Sequence, residues 1–136
     1  MADLLHLHVR CDALAPTAVR EKIRKLGVLG SAIADAMLNA SELVTNAVVH
    51  SFCAEDDLLN VRITRNGRVR ISVLDPGASR QEAHVANRPI ELGGLGLKVV
   101  EQLAATWGAE RRDDGYRVWA DLELPSRSAS NPNTAG

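Results

Sequence analysis

Apolar residues along this chain change their spacing at defined points, and each change marks an element. Leu5, Leu7 and Val9 alternate with His6, His8 and Arg10, which predicts a half-buried strand with both histidines on its outer, solvated face. Pro16 then opens a predicted helix through about Leu26, because proline is accommodated in a first helical turn, and Gly27 stands where such a helix would be capped. A longer helix is predicted from Ser31 or a neighbour to Ser51 or Phe52. Leu59, Val61 and Ile63 alternate, Asn66-Gly67 follows, and Val69, Ile71 and Val73 alternate again, which predicts a hairpin.

Beyond that hairpin the regular pattern lapses. From Asp75-Pro76-Gly77 to Gly93-Gly94 the chain is polar and irregular for about 15 residues, a length more usual for a functional loop than for a connection. Helical spacing returns from Leu95 to Trp107 through Leu97, Val100, Leu103 and Ala104, with Gly108 placed to close the helix. A further hairpin is predicted to turn at Asp113-Asp114-Gly115, with Val118, Ala120, Leu122 and Leu124 alternating on its second strand. Residues 1–125 read as a single domain, and the tail 126–136 is expected to be disordered. The order strand, helix, helix, hairpin, loop, helix, hairpin predicts an α+β fold, a two-layer sandwich in which helices pack on one face of a mixed, mainly antiparallel sheet.

Composition narrows what such a domain can do. With 136 residues the chain can bury one core, and 46% hydrophobic with 24% charged residues is ordinary for a globular protein. Aromatics are only 3%, so the core is built from Leu, Val, Ile and Ala, and there is no aromatic platform for stacking single-stranded bases. A net charge of −1 argues against direct nucleic-acid binding, although 13 of the 16 cations are arginine. No apolar run approaches the roughly 20 residues needed to cross a bilayer, and the N-terminus lacks a leader pattern, so no membrane role is expected. Cys11 and Cys53 stand in no CxxC spacing and are expected to be free buried thiols in a reducing, cytoplasmic setting.

Candidate chemistry concentrates in three segments. Within the longer helix, Asn39, Glu42, Asn46 and His50 gather on one side, and Ile33, Met37, Ala40, Val44 and Ala47 gather on the other. A carboxylate, a carboxamide and an imidazole at four-residue spacing line one helix face, which suits either a pocket wall or a plain amphipathic surface. Asp75-Pro76-Gly77 puts a carboxylate at a strand end and a glycine where a ligand could approach the backbone, yet by itself it reads first as a turn sequence. Gly93-Gly94-Leu95-Gly96-Leu97 places flexible backbone directly before a helix, a way of presenting amides to phosphate, and it also reads as loop-to-helix punctuation. It is neither a Walker A loop nor a Rossmann fingerprint.

Together, the order of these segments resembles the Bergerat-type ATP-binding domain of the GHKL superfamily. Glu42 to Ser51 resembles its N box, Asp75-Pro76-Gly77 its first glycine box, and Gly93 to Leu97 its second. The Glu-x-x-x-Asn-Ala-x-x-His form is most similar to the anti-sigma-factor serine/threonine kinases of bacterial partner-switching systems, over about residues 4–124. One departure is Ser79, where the first glycine box commonly has a second glycine.

The resemblance implies the histidine-kinase-like ATPase fold, ATP and Mg²⁺ as cofactors, and protein kinase activity. It implies that Asn46 coordinates Mg²⁺, that Asp75 recognises the adenine amino group beside Gly77, and that Gly93, Gly94, Leu95, Gly96 and Leu97 contact phosphates. Glu42 would be the catalytic base, and His50 would support Asn46 or the phosphates. The implied partners are a sigma factor and an anti-anti-sigma protein, with room for a homodimer. The alternative is a non-catalytic module, with or without nucleotide, that only sequesters a protein partner. A detached sensor-kinase catalytic domain is disfavoured because no phosphoacceptor hairpin is present.

Overall fold

The computed structural model describes residues 2–50, 53–76, 100 and 104–123, with only the backbone at His50. The first strand, β1 (Ala2–Arg10), places Leu5, Leu7 and Val9 opposite Ile63, Val61 and Leu59. Helix α1 (Ala15–Arg24) follows, with Pro16 in its first turn. The Asp12 carboxylate accepts the Leu14 N–H at 2.9 Å, and its carbonyl accepts the Ala15 N–H at 3.1 Å, which organises the turn into the helix. Ala15, Val19 and Ile23 recur every fourth residue and are buried, while Lys22 and Arg24 complement the dipole at the last turn.

The cap at the end of α1 differs from expectation. Lys25 takes that position and Gly27 begins a 3-10 segment, Gly27–Ala32. Gly30 is the glycine whose freedom is used here, with φ 54 and ψ −128, and α2 (Ile33–His50) begins three residues later.

Strands β2 (Leu58–Asn66) and β3 (Arg68–Asp75) form the expected hairpin, with Gly67 at φ 79 between them. Strands β4 (Thr106–Arg112) and β5 (Gly115–Glu123) form the second, turning through Asp113 and Asp114. The sheet order is β1-β2-β3-β5-β4, and every neighbouring pair is antiparallel. Its inner side carries Leu59, Val61, Ile63, Val69, Ile71, Val73, Val118 and Ala120, all buried against the helical layer. Each such aliphatic side chain removed from water contributes about 1.5–3 kcal/mol, which is the main force joining the layers.

Two expectations are corrected. Trp107 and Gly108 do not end a helix; both lie in β4, opposite Ala120 and Trp119. The helical spacing from Val100 through Ala104 reaches Trp107 by coincidence, whereas Trp107 and Ala109 obey the two-residue period needed to pair with β5. Val100 is helical and buried, and its carbonyl accepts the Ala104 N–H at 2.8 Å. Cys11 and Cys53 are not free thiols: they form a disulfide, their Cα atoms 6.3 Å apart. Nothing in local spacing announces that pairing, because it arises where the end of β1 meets the chain leaving α2.

The irregular stretch expected between Gly77 and Gly93, the helix start at Leu95 and the tail 126–136 lie outside the described residues. Among those described, no helix is long and apolar enough to cross a membrane.

Candidate functional site

Helix α2 packs over β3 and β5, and this contact sets the position of its polar stripe. Ala36, Ala40, Leu43, Val44 and Ala47 are buried in the interlayer. Asn39 and Asn46 do not lie opposite this packing face, as the helical wheel predicts; they sit on its flank and are themselves buried, at 0% and 7% exposure. Glu42 is half-buried between them. The outer side of the helix is instead marked by the exposed Leu38 and Val49. The stripe is therefore a boundary between core and surface, where polar groups are partly desolvated.

Asn39 is held by its own helix, its Nδ2 donating to the Asp35 carbonyl at 2.8 Å. Its Oδ1 is buried and accepts no hydrogen bond among the described residues. On a different side of α2, buried Ser41 accepts a hydrogen bond from Arg20 Nη1 at 3.2 Å, which ties α1 to α2.

Asp75 ends β3 on the same side of the strand as Val69, Ile71 and Val73, facing the helical layer, and is 3% exposed. Its strand neighbour is Tyr116, also buried. Gly115, read in the sequence only as a turn residue, has a further role. It holds φ 148, and a β-carbon there would collide with the Asp75 carbonyl group and lie 3.0 Å from Pro76 Cα. The missing side chain lets β5 close against the end of β3. No sequence signal separates this glycine from an ordinary hairpin glycine.

Of the residues singled out by sequence, Asn46 on α2 and Asp75 at the end of β3 are both buried, and Glu42 is half-buried. His50 is the last residue of α2. Gly77, Gly93, Gly94, Leu95, Gly96 and Leu97 lie outside the described residues. No group of three or more His, Cys, Asp or Glu side chains is arranged to hold a metal among the described residues.

The opposite face of the sheet has its own polar network. Arg70 donates to both Asp121 oxygens, at 2.7 and 2.9 Å, and Thr106 Oγ1 donates to Asp121 Oδ2 at 3.1 Å. The Arg70 hydrogen bond, reinforced by Thr106, holds the Asp121 carboxyl below its ordinary pKa against the opposing effect of burial. The Arg70 guanidinium, raised in turn by Asp121, also lies 4.2 Å from the centroid of the Trp119 ring. Desolvation lowers the pKa of Arg117 nearby, opposed by Glu110. His6 and His8 are on this face as expected, and His6 Nε2 lies 2.7 Å from Asn60 Oδ1.

Comparison with known proteins agrees with this architecture. The crystal structure of the RsbU and RsbW domains of Rv1364c from Mycobacterium tuberculosis superposes with a TM-score of 0.61 at 24% identity, a likeness of fold. The match covers 88% of this chain but 31% of that one, so the present chain spans less than a third of its structural relative. No curated protein matches the sequence. The model of the histidine kinase-like ATPase domain matches residues 10–122, a span holding α1, α2, β2, β3, β4 and all but the last residue of β5, and only the last residue of β1. The chain belongs to the histidine kinase-like ATPase domain family.

Proposed function

We propose that this chain binds ATP with Mg²⁺ between α2 and the end of β3, and that it is a cytoplasmic anti-sigma factor with serine/threonine protein kinase activity towards an anti-anti-sigma protein. The observation that carries the reading is the burial of both Asn46 on α2 and Asp75 at the end of β3 in a histidine kinase-like ATPase domain. The partner assignment rests on the resemblance of Glu42 to His50 to the anti-sigma-factor kinases, alongside the fold likeness to a chain containing an RsbW domain.

In this reading Asp75 accepts a hydrogen bond from the adenine amino group, and Gly77 allows the base to approach. The backbone of Gly93, Gly94, Leu95, Gly96 and Leu97 cradles the phosphates, with His50 beside them. The buried Asn46 carboxamide supplies one oxygen donor, which together with nucleotide phosphates fits a cation that prefers oxygen ligands and retains several waters. Mg²⁺ would neutralise phosphate charge there. Glu42 takes the proton of the attacking serine or threonine hydroxyl, while the rest of the site positions the reactants.

Calorimetric titration with ATP, with and without Mg²⁺, tests the binding step. Asn46→Ala is expected to abolish the metal-dependent part of the affinity, and an unchanged metal dependence would remove Asn46 from the site. Transfer of labelled phosphate to an anti-anti-sigma protein tests the kinase, with Glu42→Ala expected to slow it about 10²–10⁴-fold. Equal labelling by both proteins would exclude Glu42 as the base. ATP binding without transfer would favour the sequestering module.

A further inference from the structure

We propose that the outer face of the sheet carries an oxyanion site for a phosphate monoester, held by Arg62, Arg112 and Arg117. The three arginines come from three different strands and are brought together by register. Arg62 lies opposite Ser72, while Asn60 lies opposite Leu74, which in turn lies opposite Arg117. These positions alternate with the buried Val61, Val73 and Val118, so they share the side of the sheet turned away from the helices. Arg112, the last residue of β4, joins them from beside the β4–β5 turn.

Together they line a depression of about 160 Å³. Ser72 and Leu74 lie in its middle on β3, with Asn60 and Arg62 on the β2 side and Arg112, Asp114 and Arg117 on the other. At ~30 Å³ per water this is space for about five waters, enough for one tetrahedral phosphate group. It is smaller than the roughly 300 Å³ from which pockets enclosing larger ligands begin.

Donors outnumber acceptors in this depression. Three guanidiniums meet a single carboxylate, Asp114, among the lining residues. Arg117 Nε is buried and has no hydrogen-bond partner among the described residues. Glu110 reaches Arg117 at 3.4 Å and Arg112 at 3.5 Å, so one carboxylate is divided between two cations. Arg62 pairs with Asp3 at 3.0 Å, and Arg112 Nε lies 3.4 Å from Asp114. All four side chains are well exposed, where ion pairs are weak and a more highly charged anion displaces them. Asn60 Oδ1 is engaged by His6 Nε2 at 2.7 Å, which leaves the amide NH₂ of Asn60 to donate, and Ser72 adds a hydroxyl. Burial, with Arg70 and Arg112 nearby, lowers the pKa of Arg117 against the pull of Glu110 and Asp121, as for a cation short of negative charge.

This donor set selects the ligand class. A phosphate monoester is close to doubly charged at neutral pH and presents three acceptor oxygens, and guanidinium forks bind it through paired hydrogen bonds. A carboxylate brings one charge and two oxygens. Because the depression lies on the side of the sheet away from α2, binding there is independent of the nucleotide reading.

The test uses the full chain labelled with ¹⁵N, at neutral pH and fixed ionic strength, with the arginine Nε–H signals followed by NMR during titration with inorganic phosphate. Arg117→Lys identifies the Arg117 signal by its loss. That signal is expected to move along a saturable curve, and Arg62→Gln and Arg117→Gln are each expected to weaken binding about threefold or more. Arg62→Gln alters an exposed side chain and keeps the test decisive if Arg117→Gln fails to fold. Titration with a phosphoserine flanked by two alanines separates the sources: tighter binding than inorganic phosphate assigns a phosphorylated side chain, equal binding a free phosphate, and both uphold the site. A shift that does not saturate, an equal response to acetate, or full affinity in the Arg62 variant overturns it.

Discussion

Gly115 lies directly against the backbone of Asp75, so that a β-carbon at Gly115 would come within 2.9 Å of the Asp75 carbonyl carbon. The first residue of β5 thereby fixes the last residue of β3, whose carboxylate is the proposed adenine contact. Gly115→Ala introduces a steric conflict at φ 148, a conformation that side chains disfavour by about 1–3 kcal/mol. The variant is expected to lose about that much stability in urea unfolding and to bind ATP more weakly. An unchanged unfolding midpoint would show that the two backbones can separate freely.

Asp121 gives a pH dependence with a defined sign. Its carboxyl is held below the ordinary value of 3.8, chiefly by Arg70, so it contributes stability above that value and loses it as the pH falls through the lower folded pKa. Because the Arg70 side chain is 41% exposed, the contribution is about 1 kcal/mol. Asp121→Asn is expected to lower stability by that amount at neutral pH, and the gap from the native protein should close on acidification below 3.8. A gap that persists at pH 2 would assign the loss to packing.

The disulfide should also matter for the unfolded chain. Cys11 and Cys53 are separated by 42 positions, and a closed loop of that size restricts the unfolded ensemble by roughly 2–4 kcal/mol. Reduction is expected to lower the unfolding free energy within this range whether or not nucleotide is present. A stability that is indifferent to reductant would mean that the bond is absent in solution.

Gly108 is required by Trp119. A β-carbon at Gly108 would lie 2.8 Å from Trp119 Cζ2, so the indole rests where a side chain on β4 would stand. Gly108→Val is expected to push the ring away from Arg70, shift its fluorescence and cost about 1–3 kcal/mol of stability. The other tryptophan, Trp107, can be replaced by Phe so that the emission reports Trp119 alone. An unshifted spectrum would mean that the ring does not cross β4.

Most elements are legible locally. Leu59, Val61 and Ile63, followed by Asn66-Gly67 and Val69, Ile71 and Val73, specify a hairpin because alternation and a turn glycine act within a few residues. The four-residue spacing of Glu42 and Asn46 likewise places both on one side of α2 before any neighbour is known. Trp107 and Gly108 defeated the same reasoning: helical and extended spacings both fit the segment, and pairing with β5 chose the strand.

The amino-acid sequence by itself determined the strands and helices of the described core apart from the start of β4, together with the polar stripe of α2, since these follow from backbone periodicity and turn chemistry. Tertiary structure decided the flank on which Asn39 and Asn46 are buried, the insertion of β5 between β3 and β4, the closure of Gly115 on Asp75, and the union of Cys11 with Cys53. Each of these depends on how two layers pack and which strands share an edge, and short-range spacing carries no record of residues that meet from distant parts of the chain.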